Sequence, residues 1–300
     1  MRVAIAGSSG LIGTGLVPAL RSEGHEVVRL VRRAAEGRDE VRWDPTRGEL
    51  DPAQLEGVEA FIALGGTGIG DKRWTPERRK EVLDSRVVPT RLLAETAAKL
   101  DPRPTAFLGG SAVGFYGSDR GDNETTEADP RGEGFLADVV VAWEQATEAA
   151  EEAGIRTVLL RTGIVQSTAG GALAKQLPPF KLGLGGRLGS GRQYVPWISL
   201  ADEVGAILFC LAEAGISGPV NLTAPEPVTN AEFTRTLGRL LHRPTLIPTP
   251  TPALKALFGE DMVREMLLGG TRAVPAKLEA AGFRWLHPTL EVALRDILAK

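Results

Sequence analysis

Three glycines at a fixed spacing are the first residues in this chain whose type and order could do chemistry. They stand in Gly7-Ser8-Ser9-Gly10-Leu11-Ile12-Gly13, after the strand-like run 2–6 and before the helical pattern 11–22. In a G-x-x-G-x-x-G turn between strand and helix, the first glycine permits the tight turn. The second lets backbone approach a pyrophosphate, and the third lets the helix pack on the strand. The helix start then offers unpaired N–H groups and the positive end of its dipole to phosphate. Gly7, Ser9, Gly10, Leu11, Ile12 and Gly13 are the resulting contacts to a dinucleotide. A strand–helix turn that binds nothing is the alternative.

The second strand, 26–31, bears on which dinucleotide. An Asp or Glu near its end holds the ribose hydroxyls in NAD-selective proteins. Here the strand ends Leu30-Val31-Arg32-Arg33, without an acid. Two guanidinium groups suit bidentate binding of a 2′-phosphate, which points to NADP(H); two solvated surface arginines are the other reading. Asp44, after the third strand, either reaches the adenine amine or makes a plain Asp-Pro turn. Gly65 and Gly66 lie in the glycine-rich loop after strand 60–64. Thr162 and Gly163 follow strand 157–160, where they would meet the nicotinamide amide.

The groups that could react or bind substrate come later. Ser111 follows strand 106–108, and its hydroxyl either bonds a substrate oxygen or caps a loop. Tyr116 is either a proton donor or an aromatic packed under that loop. Lys175, Arg192, Gln193 and Trp197 fall in a stretch rich in glycine and aromatic residues and are read as substrate contacts, against the alternative of solvated loop side chains. Glu133 and Asp138 bracket a helix start, either as acid–base groups or as acids that suit a helix N-terminus.

The elements that must position these residues alternate. Strands at 2–6, 26–31, 60–64, 106–108 and 157–160 are separated by helical patterns at 11–22, 89–99 and 135–153. Short connections between alternating strands and helices predict an α/β fold with a parallel, doubly wound sheet. The Rossmann domain covers 1–165, and the chain returns to it at about 200–225. Residues 166–199 and 226–300 form a smaller substrate or cap region with a helical tail. Within it, 178–191 reads as a long loop and 244–252 as an extended, proline-rich linker.

These residues also look familiar. The start resembles the extended short-chain dehydrogenase/reductase proteins, and the rest is similar to their atypical "epimerase family" branch with a conserved C-terminal domain of unknown role. The likeness rests on Arg73-Trp74-Thr75, Asp84-Ser85-Arg86-Val87, Ser111-Ala112-Val113-Gly114-Phe115-Tyr116-Gly117 and Leu160-Arg161-Thr162-Gly163. It continues through Pro178-Pro179-Phe180-Lys181, Trp197-Ile198, Asn221-Leu222-Thr223 and Lys277-Leu278-Glu279. The resemblance implies an NADP(H)-binding protein. It also implies a Tyr-x-x-x-Lys pair on the helix after the fifth strand. In this chain those slots hold Leu136 and Val140, neither of which can exchange a proton.

Two function classes follow. One is an NADPH-dependent reductase or epimerase-like enzyme acting on a small carbonyl or sugar-like substrate. The other is an NADP(H)-binding redox sensor or partner-binding module without turnover. Net charge −3 gives no reason to bind nucleic acid or an anionic membrane. His25, His242 and His287 are scattered, so no metal is expected, and Cys210 sits in an apolar run as a small buried residue. No apolar stretch approaches the roughly 20 residues needed to span a bilayer. The start lacks a secretory pattern, and a cytoplasmic location is the expectation.

Overall fold

The computed structural model describes residues 1–299. Seven strands form one parallel sheet: β1 (Arg2–Ala6), β2 (Glu26–Val31), β3 (Glu40–Arg42), β4 (Ala60–Ala63), β5 (Ala106–Ala112), β6 (Arg156–Thr162) and β7 (Gly218–Leu222). Their order is β7-β6-β5-β4-β1-β2-β3, so the winding reverses between β1 and β4. Ligands of open α/β sheets collect outside the strand C-termini at such a switch point. Both faces of the sheet are covered, and neighbouring residues on one strand feed opposite cores. Ile5, Ile62, Leu108 and Leu160 pack with Leu16, Leu20 and Ile207 on one side. Ala4, Phe61 and Phe107 pack with Leu93 and Ala97 on the other. Strands buried on both faces read as continuous apolar runs, as these do.

The helices flanking the sheet include α1 (Leu11–Ser22), α2 (Pro76–Lys99) and α3 (Phe135–Gln145). α2 begins thirteen residues before the 89–99 pattern. Its signals are local: Thr75 accepts a hydrogen bond from the Arg78 N–H at 3.2 Å, and Pro76 occupies the first turn, where a missing N–H costs nothing. Pro89 lies inside the helix without ending it. The 135–153 pattern is two helices, broken between Gln145 and Glu148.

After β6 the chain leaves the sheet and re-enters it. The helix Leu200–Ala212 packs beside α1, and β7 pairs with β6 in register Gly218 to Val158. The stretch read as a loop from 178 begins inside a helix, Gly171–Lys181, which runs through Pro178 and Pro179. A third apolar cluster unites Leu173, Phe180, Trp197, Phe233, Leu237 and Leu294 as the core of the outer region. That region is not wholly separate. Gly270–Ala273 pairs with Asp119–Thr125, and Leu278 belongs to the main core. No described helix is long and apolar enough to cross a membrane.

Candidate dinucleotide site

The glycine turn has the shape that its sequence predicts. Gly7 has φ +85°, which a side chain rarely adopts, and its carbonyl accepts from the Gly10 N–H at 3.0 Å. A Cβ on Gly13 would lie 2.2 Å from the Gly7 oxygen, so the helix sits as close to the strand as bare backbone allows. Gly10 is the N-cap of α1 and makes no side-chain cap. The N–H groups of Leu11, Ile12 and Gly13 open the first turn, where the helix itself supplies no acceptor. An uncapped helix start beside a glycine turn fits a pyrophosphate.

The two arginines after β2 separate. Arg33 binds Glu40 with both guanidinium nitrogens, at 2.8 and 2.6 Å. That carboxylate also takes Arg29 at 2.8 Å. Arg33 therefore serves an internal pair, unlike the expectation of two free guanidinium groups. Arg32 is exposed and has no ion pair among the described residues. Asp44 is a turn residue: its Oδ1 accepts from the Thr46 N–H at 3.0 Å and the Thr46 hydroxyl at 2.6 Å. These bonds hold its carboxyl below the usual range.

Gly65 and Gly66 open a loop pinned to α2 by its carbonyls. Arg86 donates to the Thr67 oxygen at 3.1 Å, Arg78 to the Gly68 oxygen, and the Trp74 indole to the Ile69 oxygen at 3.1 Å. The Thr67 N–H in turn donates to Ser85 at 3.1 Å. Burial and the nearby Arg78 pull Arg86 down to about 10. The Arg-Trp-Thr and Asp-Ser-Arg motifs are thus the frame of this loop. Beyond it, Asp71 meets Lys175 of the helix Gly171–Lys181 at 2.6 Å, so Lys175 is paired and not a free substrate cation.

Ser111 and Tyr116 are both buried, and both hydroxyls are engaged inside the protein. Ser111 lies within β5, 3 % exposed, and donates to Glu144 Oε1 at 2.6 Å. Arg161 binds that carboxylate bidentately at 2.8 and 3.0 Å and donates to the Tyr116 hydroxyl at 3.0 Å. The Tyr116 O–H donates to Asn221 Oδ1 at 2.7 Å. Burial pushes this phenol above its usual value, against the pull of Arg161. With its proton engaged and its ring 1 % exposed, Tyr116 is a structural member of a buried network. Tyr116→Phe should therefore cost about 1–3 kcal/mol, because a buried Asn221 acceptor loses its donor. NADPH affinity should hardly move. Calorimetric melting of the two proteins checks this, and unchanged stability would show that the hydroxyl is not tied in.

Leu136 and Val140 face the Gly114 turn, 3.5 and 3.7 Å from the place of a Cβ there. The α3 wall is therefore apolar where a tyrosine and lysine were expected. Its N-terminus is held from the tail, since the Leu136 N–H donates to Glu265 at 3.0 Å. Glu133 is exposed, and Asp138 pairs with Arg131 at 2.5 Å. Gly163 is a crossing point, where a Cβ would lie 2.4 Å from the Pro196 oxygen. Trp197 is corrected to a core residue: it is 1 % exposed, and its indole donates to the Glu226 oxygen. Gln193 spends its amide on the Leu188 and Leu267 carbonyls at 3.1 and 2.9 Å. Arg192 remains exposed.

Another hydroxyl at the sheet's C-terminal edge is that of Thr162, half-buried, which donates to Glu203 Oε1 at 2.8 Å. Glu203 is 0 % exposed, and its Oε2 has no partner. Burial, against the Thr162 bond, raises its carboxyl to about 8. A raised folded value means that its contribution to stability is lost as pH climbs through about 8. Sequence reasoning missed Glu144, Arg161, Asn221 and Glu203. Each is a charged or amide group inside an otherwise apolar strand or helix pattern, which was the available signal. Cys210 is buried, its thiol pushed up to about 12. No cluster of His, Cys, Asp and Glu among the described residues could hold a metal.

A glycine cradle at an uncapped helix, on the switch point of a parallel doubly wound sheet, defines a Rossmann dinucleotide-binding protein. The sequence profile of the NAD dependent epimerase/dehydratase family matches residues 3–222, and that of a domain of unknown function, DUF1731, matches 249–297. An epimerase family protein of Mycobacterium bovis is 50% identical over 292 residues, 97% of this chain and 96% of its own. The human epimerase family protein SDR39U1 is 36% identical over 302 residues, 100% of both chains. The crystal structure of human SDR39U1 with NADPH matches with a TM-score of 0.90 at 34% identity, over 100% of this chain and 99% of that one. The chain belongs to the NAD dependent epimerase/dehydratase family, in the extended short-chain dehydrogenase/reductase group.

Proposed function

We propose that this chain binds NADPH across the C-terminal edge of its sheet and works as an NADPH-dependent reductase of a small carbonyl or sugar-like compound. The observation that carries the cofactor choice is the end of β2, where no acid stands and Arg32 is exposed and unpaired. The human relative crystallised with NADPH supports the same choice. In this reading the N–H groups of Leu11, Ile12 and Gly13 hold the pyrophosphate, Arg32 takes the 2′-phosphate, and Gly65 and Gly66 border the ribose. Thr162 lies beside the nicotinamide. NADPH supplies a hydride when bound. The partner is a small molecule rather than nucleic acid or membrane, and the protein is cytoplasmic.

A second reading, an NADP(H)-holding protein without turnover, is favoured by one finding. Both Ser111 and Tyr116 spend their hydroxyl protons inside the protein, and the α3 wall presents Leu136 and Val140. NADPH oxidation against a panel of aldehydes, ketones and nucleotide sugars separates the two readings.

Cofactor selectivity is directly measurable. Calorimetry should give NADPH at least tenfold tighter binding than NADH, about 1.4 kcal/mol. Arg32→Ala should remove most of that gap, whereas Arg33→Ala should remove little of it because Arg33 is held by Glu40. Equal affinity for the two dinucleotides in the parent protein would overturn the assignment.

A further inference from the structure

Glu203 is a costly residue to keep. It sits on the helix Leu200–Ala212, 0 % exposed, in a core of Ile198, Ala206, Ile207 and Leu160. One carboxyl oxygen meets the Thr162 hydroxyl, and the other has no hydrogen-bond partner among the described residues. An isolated carboxylate in such a place would be strongly disfavoured, so the group stays neutral until something compensates the charge. No cation among the described residues does so. On its own helix, Asp202 is bound to Ser199 and the Leu286 N–H, and Cys210 is a buried thiol. α1 carries one ionisable side chain, Arg21, which pairs with Asp39. Of the two arginines on β6, Arg161 is held by Glu144, and Arg156 by the Cys210, Leu211 and Ile216 carbonyls. β5 carries no ionisable group, nor do the short strands Ile164–Gln166 and Trp197–Ser199. From the tail segment at 283–287, Arg284 is exposed and His287 is bound to Ser199.

Thr162 ends β6, in the half of the sheet over which the nicotinamide half of a dinucleotide lies. We infer that Glu203 is a proton-exchanging group coupled to the redox state of that ring: it keeps its proton beside a neutral dihydronicotinamide and releases it when the ring is the cationic, oxidised form. Only the O–H bond of the carboxyl changes, the proton passes to solvent, and no electrons move. The inference rests on the proposed NADP(H) site and deepens it. Such a site makes the preference between NADPH and NADP⁺ depend on pH.

The test is calorimetry of the full-length protein with NADP⁺ and with NADPH, from pH 6 to 9.5, in pairs of buffers with different ionisation enthalpies. The 2′-phosphate is common to both ligands, so its own proton exchange on binding cancels in the difference. NADP⁺ should release about half a proton or more beyond NADPH near pH 7, falling towards none above pH 9. The NADP⁺ to NADPH affinity ratio should rise at least threefold from pH 6 to 9. Glu203→Gln, which keeps the length and polarity beside Thr162, should abolish both effects. If that variant fails to fold, the parent protein's pH series still decides. Equal proton release by the two ligands, or a difference that survives Glu203→Gln, overturns the inference. Failure of either ligand to bind would instead overturn the NADP(H) reading.

Discussion

Replacing Glu144 by alanine is expected to destabilise the protein by about 3–5 kcal/mol, the usual cost of leaving one partner of a buried ion pair alone. The Arg161 side chain is 4% exposed and that of Glu144 11%, so water cannot replace the lost carboxylate. Arg161 would keep the Tyr116 hydroxyl at 3.0 Å and the faces of Phe115 and Tyr116, 3.5 and 5.1 Å from its guanidinium carbon, but no counter-charge. Ser111 would lose its acceptor as well. The ion pair joins α3 to β6 and, through Ser111, to β5, so the apolar wall and the Thr162 edge should loosen together. Urea denaturation gives the stability change. Glu144→Leu with Arg161→Met should recover much of it, because paired replacement by apolar groups leaves no orphaned charge. A loss below about 1 kcal/mol for Glu144→Ala would mean that Arg161 finds solvent.

How much of this was legible beforehand depended on whether the signal was local. The glycine turn, the sheet class and the missing strand-end acid are set by residues adjacent in sequence, and these readings match the structure. α2 extends well before the 89–99 pattern because Thr75-Pro76-Glu77 is a proper helix start and Pro89 lies inside the helix without ending it. The helix Gly171–Lys181 was hidden by Pro178 and Pro179. The reactive-looking groups failed for a different reason. Ser111 meets a residue 33 positions away and Tyr116 one 105 away, so only tertiary structure shows that their hydroxyls are already engaged. Trp197 is the reverse case: an aromatic in a glycine-rich stretch looked like a ligand contact, yet it anchors the core of the outer region. Arg33 read as a free cation because Glu40, its partner, lies across a strand connection.

Gly13→Ala should weaken NADPH binding about 100-fold or more, close to 2.7 kcal/mol, and also lower stability by about 1–3 kcal/mol through overpacking. The added methyl would stand 2.2 Å from the Gly7 oxygen and 2.7 Å from the Ser8 Cα. Both are backbone atoms of the turn, so no side chain can swing aside, and α1 must back away from β1. That movement displaces the Leu11, Ile12 and Gly13 N–H groups, which hold the pyrophosphate in the proposed reading. Gly15→Ala is the matched comparison, two residues along the same helix. Its methyl would meet the Val204 Cγ2 at 3.2 Å, the end of a side chain that can shift by a few tenths of an ångström. Alanine there also gains the roughly 1 kcal/mol by which it exceeds glycine in helix propensity. Gly15→Ala should therefore bind NADPH within about threefold of the parent, a change under 1 kcal/mol. The pair of titrations isolates backbone proximity from helix content. Parent-like affinity in Gly13→Ala would show that the turn is a packing device and that the pyrophosphate is held elsewhere.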